Sequence, residues 1–392
     1  MSLDRRRFLA LLGGTAILAA DLASARIARA AAPPGTPSAL APWFAAGTGE
    51  TEMRRRALSW AVLAPSPHNR QPWRVALDGE DAITLYCDLE RRLPHTDPFD
   101  RQVTIGLGAF LETLVLAAVE QGHGAEVALF PQGEPAPRLD ARPVARVRFV
   151  PGAGTPDPLF SAILDRRSNK APYAMDRAIP ADALAQLAAA ATHGGRVATA
   201  TDAAEVAAIR GVALSAMRLE MEHAVTAQES IDLLRIGQAE VDASPDGIDL
   251  TGPMIEDLAA KGILTRENAT AELVSGTPGP ILGQMSAYSL APIEASPAFL
   301  WTTTPGNTRA DQIAAGRDWM RLNLAAARLG LGMHPLSQAL QEFPEMADHA
   351  ARMRAALGAA PGETLQMLGR LGYGPEVPPS PRWPAATAIR EG

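Results

Sequence analysis

Apolar residues recur at Leu107, Phe110, Leu111, Leu114, Val115 and Ala118. This i, i+3, i+4 spacing puts side chains on one face of a helix, and Gly122 and Gly124 end the run. A second stretch of the same form lies about 208 residues further on. Residues 108–124 align without a gap on residues 316–332, matching the glycines at both ends, paired leucines and an Ala-Ala step. Ala-rich helices can match by chance, but the shared Gly-x-Gly exits favour duplication. A duplicated half that buries its central helix against its twin imitates a symmetric dimer within one chain.

Other patterns predict helices over 54–63, 181–191 and 203–223, and a strand pair at 73–77 and 83–88 across the turn 78–81. Further strands are expected at 145–150, 298–304 and 366–371. Strands and long helices mix without strict βαβ alternation, which predicts an α+β fold.

Composition narrows the field. At roughly 150 residues per domain, 392 residues suit two domains or one duplicated domain. Five Arg and two Asp in residues 1–30 leave +3 there and −10 elsewhere, within a net charge of −7. An acidic body argues against a nucleic-acid partner. The single cysteine, Cys87, allows no intrachain disulfide and reads as a packed apolar residue. The seven histidines are scattered, and no metal site is expected. There is no Walker motif, and Gly106-x-Gly108 lacks the third glycine of a dinucleotide fingerprint.

The N-terminus has the form of an export signal. Arg5-Arg6-x-Phe8-Leu9 resembles the twin-arginine motif. A weakly apolar stretch, 8–20, follows, and Ala28-Arg29-Ala30 supplies a small-residue cleavage pattern. An ordinary secretory signal that happens to carry arginines is the other reading. The expectation is a 1–30 leader, the twin-arginine export machinery as a partner, a periplasmic or otherwise exported location, and no stable membrane anchor.

Three segments carry candidate chemistry. Pro67-His68-Asn69-Arg70-Gln71-Pro72-Trp73 sets two amides on a proline-framed turn, able to read the edge of a planar heterocycle. Arg166-Arg167-Ser168-Asn169-Lys170 gathers three cations within five residues, which suits a phosphate. Gly330-Leu331-Gly332-Met333-His334-Pro335-Leu336-Ser337 has glycines that let backbone approach a ligand. Taken singly, these read equally as a Pro-rich connection, a solvated basic turn and a helix C-cap.

Together and in this order they resemble the nitroreductase family of FMN enzymes. The first segment is similar to that family's Ser/Asn-x-Gln-Pro-Trp turn, the second to its Arg-x-Ser-x-Lys/Arg phosphate motif, the third to its Gly-Leu-Gly-x-x-Pro segment beside the flavin. The tail from Leu368 to Gly374, then Pro381-Arg382, resembles its closing strand and phosphate-contacting basic residue, although Trp383 stands where a second basic residue is common. The resemblance implies a nitroreductase-like fold with tandem halves, 31–155 and 156–392, forming an intrachain pseudo-dimer that acts as a monomer. It implies one FMN site, held by Pro67, Asn69, Gln71, Arg166, Arg167, Ser168, Lys170, His334, Pro335, Leu336, Ser337 and Arg382. The uneven split of motifs between the halves is similar to the fused Acg-like branch, in which a lid covers the flavin; residues 224–296 fit such a lid. The implied function is electron transfer through FMN between a donor and a nitro, quinone or similar planar acceptor. The alternative is a non-catalytic protein that sequesters FMN. No acid/base pair is visible, and no catalytic residue is assigned.

Overall fold

The computed structural model describes residues 32–277 and 279–390. The expected leader, 1–30, lies outside them. The first half begins with α1 (Ala41–Ala45) and α2 (Met53–Ala61), the latter capped by the Glu52 carboxylate, which accepts from the Arg54 and Arg55 amides. Strands β1 (Trp73–Asp78) and β2 (Ala82–Cys87) follow, then α3 (Arg101–Glu120), β3 (His123–Leu129) and β4 (Ala145–Pro151). The four strands form an antiparallel sheet of order β1-β2-β4-β3.

The second half repeats this plan around a long insertion. It opens with α4 (Ala181–Ala189) and β5 (Arg196–Ala200). The insertion holds α5 (Ala203–Glu222), α6 (Ala224–Asp232), β6 (Leu234–Ile236), α7 (Gln238–Ala243), β7 (Ile248–Leu250), α8 (Pro253–Ala260), α9 (Arg266–Ser275) and α10 (Pro280–Glu294). The plan resumes with β8 (Ala298–Thr304), α11 (Arg309–Arg328), β9 (Gly332–Pro335), α12 (Ala347–Ala356) and β10 (Thr364–Gly372), and α13 (Ala385–Ala388) is the last element among the described residues. The second sheet has the order β5-β8-β10-β9, the first order strand for strand. The architecture is the α+β arrangement of two tandem halves expected from the repeat.

The repeated helices pack against each other, and their aligned glycines meet. A side chain on Gly316 would strike the Ile105 carbonyl oxygen and the Gly108 backbone; one on Gly108 would strike the Ile313 carbonyl and the Gly316 backbone. Ile105 and Ile313 are themselves 208 residues apart, so each half offers its partner the same patch, as in an isologous dimer. The first residues of the two helices repeat the relation. Arg101 of α3 donates to the Leu340, Leu365 and Gln366 carbonyls of the second half. Arg309 of α11 donates to the Phe99, Pro135 and Pro137 carbonyls of the first. Burying these aliphatic stems while saturating the guanidinium donors ties the halves in both directions.

Three readings change. The periodic face of α3 is not one-sided: the helix is buried along most of its circumference, because the sheet covers one side and α11 the other. The unmatched insertion starts at 201, since α5 also lies between β5 and β8. Its distal part, 224–294, is a lobe with its own small core of Ile231, Leu234, Ile236, Leu264, Ala269 and Ile281. The Gly-rich 330–337 segment is not purely a loop: residues 332–335 form the edge strand β9, paired with β10 from Gly369 to Gly372.

Candidate functional site

The first candidate segment leaves α2 as a strained turn. His68, Asn69 and Gln71 take φ of 44°, 50° and 50°. Positive φ in three residues with side chains costs on the order of 1–3 kcal/mol each and persists only where the surroundings hold it. Several contacts do so. Pro67 packs on α3 at Gly106, where a side chain would lie 3.2 Å from its Cδ. The Ser66 hydroxyl accepts from the Gln71 amide at 2.8 Å. Asn69 donates to the Pro381 carbonyl at 3.0 Å and accepts from Arg382 at 2.7 Å. Gln71 donates to the Pro245 carbonyl at 2.7 Å and accepts from the Trp383 amide at 3.0 Å.

Both amides, expected to face a heterocycle, are engaged by protein, Gln71 through both of its N–H groups and Asn69 through one. Asn69 holds the C-terminal tail, and Gln71 joins the tail to the inserted lobe. The residues are at the site, but their donors and acceptors clamp the turn.

The cations of the second segment converge with the tail. Arg166 and Arg382 are each 2% exposed, and Arg167 is half-buried. Arg166 and Arg382 both donate to the Leu63 carbonyl just past α2, and Arg382 also reaches the Ala64 carbonyl at 3.0 Å. Arg167 is tied to the Leu164, Arg166 and Val377 carbonyls. Among the described residues none of the three makes an ion pair with a carboxylate. Nε and Nη1 of Arg166 and Nε of Arg382 are buried without a protein partner. Burial, aggravated by the Arg382 and Arg167 charges, drives the Arg166 guanidinium far below its usual range. Burial likewise lowers Arg382 to about 9, although the Asp249 charge opposes it. Buried cations without counter-charge are costly, and an anion with several oxygens is what these free N–H groups suit.

Lys170 joins the other two segments. It is exposed, and its charge helps depress the imidazoles of both His68, in the first half, and His334, in the second. Burial is the larger cause in each; it takes His68 to about 4, against the pull of Glu229, and His334 well below the ordinary value. Both rings are neutral near pH 7. His334 Nδ1 lies 3.1 Å from Arg370 Nε. Arginine can only donate, so Nδ1 accepts and the ring proton sits on Nε2. Ser168 bridges to Met333, and the Asn169 amide donates to the Met333 carbonyl at 3.0 Å. All three segments thus meet where the halves join.

Parts of the third segment face away from that junction. Pro335 pairs with Gly369 in the sheet. Leu336 is buried in the core beneath α5. The Ser337 hydroxyl is buried against Met367 Sδ at 3.7 Å. Gly332 is needed for the close approach of the Tyr173 ring, which a side chain would meet at 2.9 Å. The backbone of this segment borders the site, but its glycine and hydroxyl serve packing.

Sequence reasoning missed Trp43 of α1, which lies against the arginine cluster, and missed the lobe's fastenings. The Asp246 carboxylate pairs with Arg70 and Arg91 of the first half, each at 3.3 Å, and with Arg235 of the lobe at 2.6 Å. Glu229 accepts from the His95 and Thr96 amides and the Thr96 hydroxyl at 2.6–3.0 Å. The lobe is thereby docked over the strained turn. A cleft of about 550 Å³ runs between the lobe and the 92–95 loop, lined chiefly by apolar groups such as Leu93, Val225, Leu273 and Val274.

No family model matches the chain. It is similar to "Putative NAD(P)H nitroreductase Rv3131" of Mycobacterium tuberculosis H37Rv, at 26% identity over 340 residues, covering 85% of this chain and 90% of that protein. Over a shorter stretch it is similar to "Putative NAD(P)H nitroreductase acg" of the same organism, at 32% identity over 127 residues, or 32% of this chain and 37% of that one. Among solved structures, a nitroreductase-like family protein from Bacillus cereus gives a TM-score of 0.33 at 14% identity, covering 61% of this chain and 98% of that chain.

Proposed function

We propose that this chain is a nitroreductase-like oxidoreductase that binds one FMN at the junction of its halves and passes electrons through it to a nitro, quinone or similar planar acceptor. The observation that carries the reading is the cluster of Arg166, Arg167 and Arg382, which has no paired carboxylate among the described residues and three buried guanidinium nitrogens without partners. A phosphate monoester fits it in charge and in number of acceptor oxygens. The relatives named as NAD(P)H nitroreductases support the same class. FMN, once bound, supplies the redox chemistry. The chain's part is to hold the phosphate with these arginines, to keep His68 and His334 neutral beside Lys170, and to cover the turn with the lobe.

A second reading is sequestration, and the docking of the lobe through Asp246 and Glu229 favours it. One experiment separates the two. The mature protein is purified, its visible spectrum recorded, and NADPH and a nitroaromatic added anaerobically. Bleaching by NADPH followed by reoxidation supports turnover. A yellow protein bleached only by dithionite supports sequestration, and a colourless protein that takes up no FMN removes both. The reading also has the chain act as a monomer, which light scattering checks, and reach the periplasm or exterior by the twin-arginine route. Export that survives Arg5→Lys with Arg6→Lys would remove that route.

A further inference from the structure

The arginine cluster has a wall that the motifs do not contain. Trp43 is 5% exposed, and all three guanidiniums lie over its indole: Arg167 at 5.1 Å from the ring centroid, Arg382 at 5.5 Å and Arg166 at 5.8 Å. These are cation–π distances. The indole and the segment that carries it are held at three points. Its Nε1 donates to the Ser380 carbonyl at 2.8 Å. The Ala39 carbonyl accepts from the Arg382 amide at 2.8 Å, and the Ala39 amide donates to Asp242 of the lobe at 2.9 Å. The segment 38–45 therefore spans from lobe to tail and lays the Trp43 ring against three positive charges.

We infer that Trp43 is a binding residue for the phosphate end of the ligand, which makes the N-terminal segment 38–45 part of the site; this rests on the FMN reading above. A guanidinium over an aromatic face keeps its in-plane N–H groups for an anion. Nε and Nη1 of Arg166 and Nε of Arg382 are the donors left without a protein partner. The indole offsets part of the repulsion among three like charges while taking up none of those donors. It also excludes water from one side of the cluster, which strengthens whatever anion the arginines hold. A side chain that only filled space would do neither.

The test compares two ligands that differ by the phosphate. FMN and riboflavin are titrated by flavin fluorescence into the full chain and into its Trp43→Leu and Trp43→Phe variants, with melting temperature followed in parallel. Trp43→Leu should weaken FMN at least 10-fold and riboflavin less than 2-fold, and Trp43→Phe should restore most of the difference. Equal loss for both flavins, or no loss for FMN, overturns the inference while leaving the cofactor reading intact. If the wild-type chain takes neither flavin, the cofactor reading falls instead. Inorganic phosphate then decides the role of Trp43: quenching of tryptophan fluorescence that Trp43→Phe and Arg166→Ala each abolish supports an anion wall, and quenching that survives Trp43→Phe, or no phosphate effect, overturns it.

Discussion

Where α2 hands over to β1, three arginines gather around a strained turn without a paired carboxylate. Where α4 hands over to β5, at the equivalent place in the second half, the charge is reversed. There the Asp318 carboxylate, fully buried, accepts from the Thr192, His193 and Gly195 amides at 2.7–2.9 Å. Beside it the buried Glu112 pairs with Arg317, Arg321 and His193 at 2.7–3.0 Å. The repeat sets Asp318 opposite Phe110, which in the first half stacks on Trp73 with centroids 4.9 Å apart. One connection is closed by carboxylates, Asp318 from α11 and Glu112 from α3; the other keeps unmatched donors. The fold is duplicated, and the chemistry of its two connections is not.

The contrast can be broken most severely at the seam. Gly316→Ala forces a methyl group into the Ile105 carbonyl, and backbone cannot yield as a side chain can. Denaturant unfolding should show a loss of about 3 kcal/mol or more, and a loss under 1 kcal/mol would mean the helices do not cross here. Asp318→Ala leaves three donors without their acceptor and should cost about 3 kcal/mol, while FMN affinity stays within 2-fold. Arg166→Ala should do the reverse. Binding should weaken by about 2–3 kcal/mol, on the order of 30–150-fold, and the ligand-free protein should melt no lower, because an unpaired buried cation is gone. Retained flavin in this variant would show that the phosphate is held elsewhere.

Acid should separate the halves as well. Burial raises the Glu112 carboxyl, but the His193 hydrogen bond and the Arg317 and Arg321 contacts outweigh it and hold it at about 2. A depressed carboxylate contributes stability that is complete above its unfolded value near 4.5 and is lost as pH falls through that value towards 2. About 3 kcal/mol should disappear over that window, and Glu112→Gln should flatten the profile there. The smallest effect is expected at the lobe. Asp246→Asn takes the charge from a buried carboxylate shared by Arg70, Arg91 and Arg235, which should cost about 2 kcal/mol, lower the melting temperature and speed flavin exchange several-fold in stopped-flow mixing.

The sequence carried much of the frame, for reasons visible in single elements. Strands β1 and β2 alternate and flank a short polar turn, and α3 and α11 share glycines because their crossing needs them. β9 could not be read: Gly332-Met333-His334-Pro335 contains two strand breakers, and its partners, β10 and the bridge to Ser168, lie far away in sequence. The arginine cluster was half legible. Arg166 and Arg167 announce themselves as neighbours, and Arg382 by the tail motif, but Trp43 sits more than 120 residues upstream in a segment with no motif. Asn69 and Gln71 were pointed at a ligand because nothing local shows that the tail and lobe would claim their amides. For Asp318 a clue existed in the repeat, where a carboxylate stands opposite the phenyl ring of Phe110.

The path of the tail bears on how the protein is made. Arg382 closes on Asn69 and on the Leu63 and Ala64 carbonyls, and the Arg390 amide donates to the Val75 carbonyl. These partners emerge from the ribosome more than 300 residues apart. The arginine cluster therefore does not exist until the chain has been made through Arg382: a nascent chain that stops short of it lacks the grip.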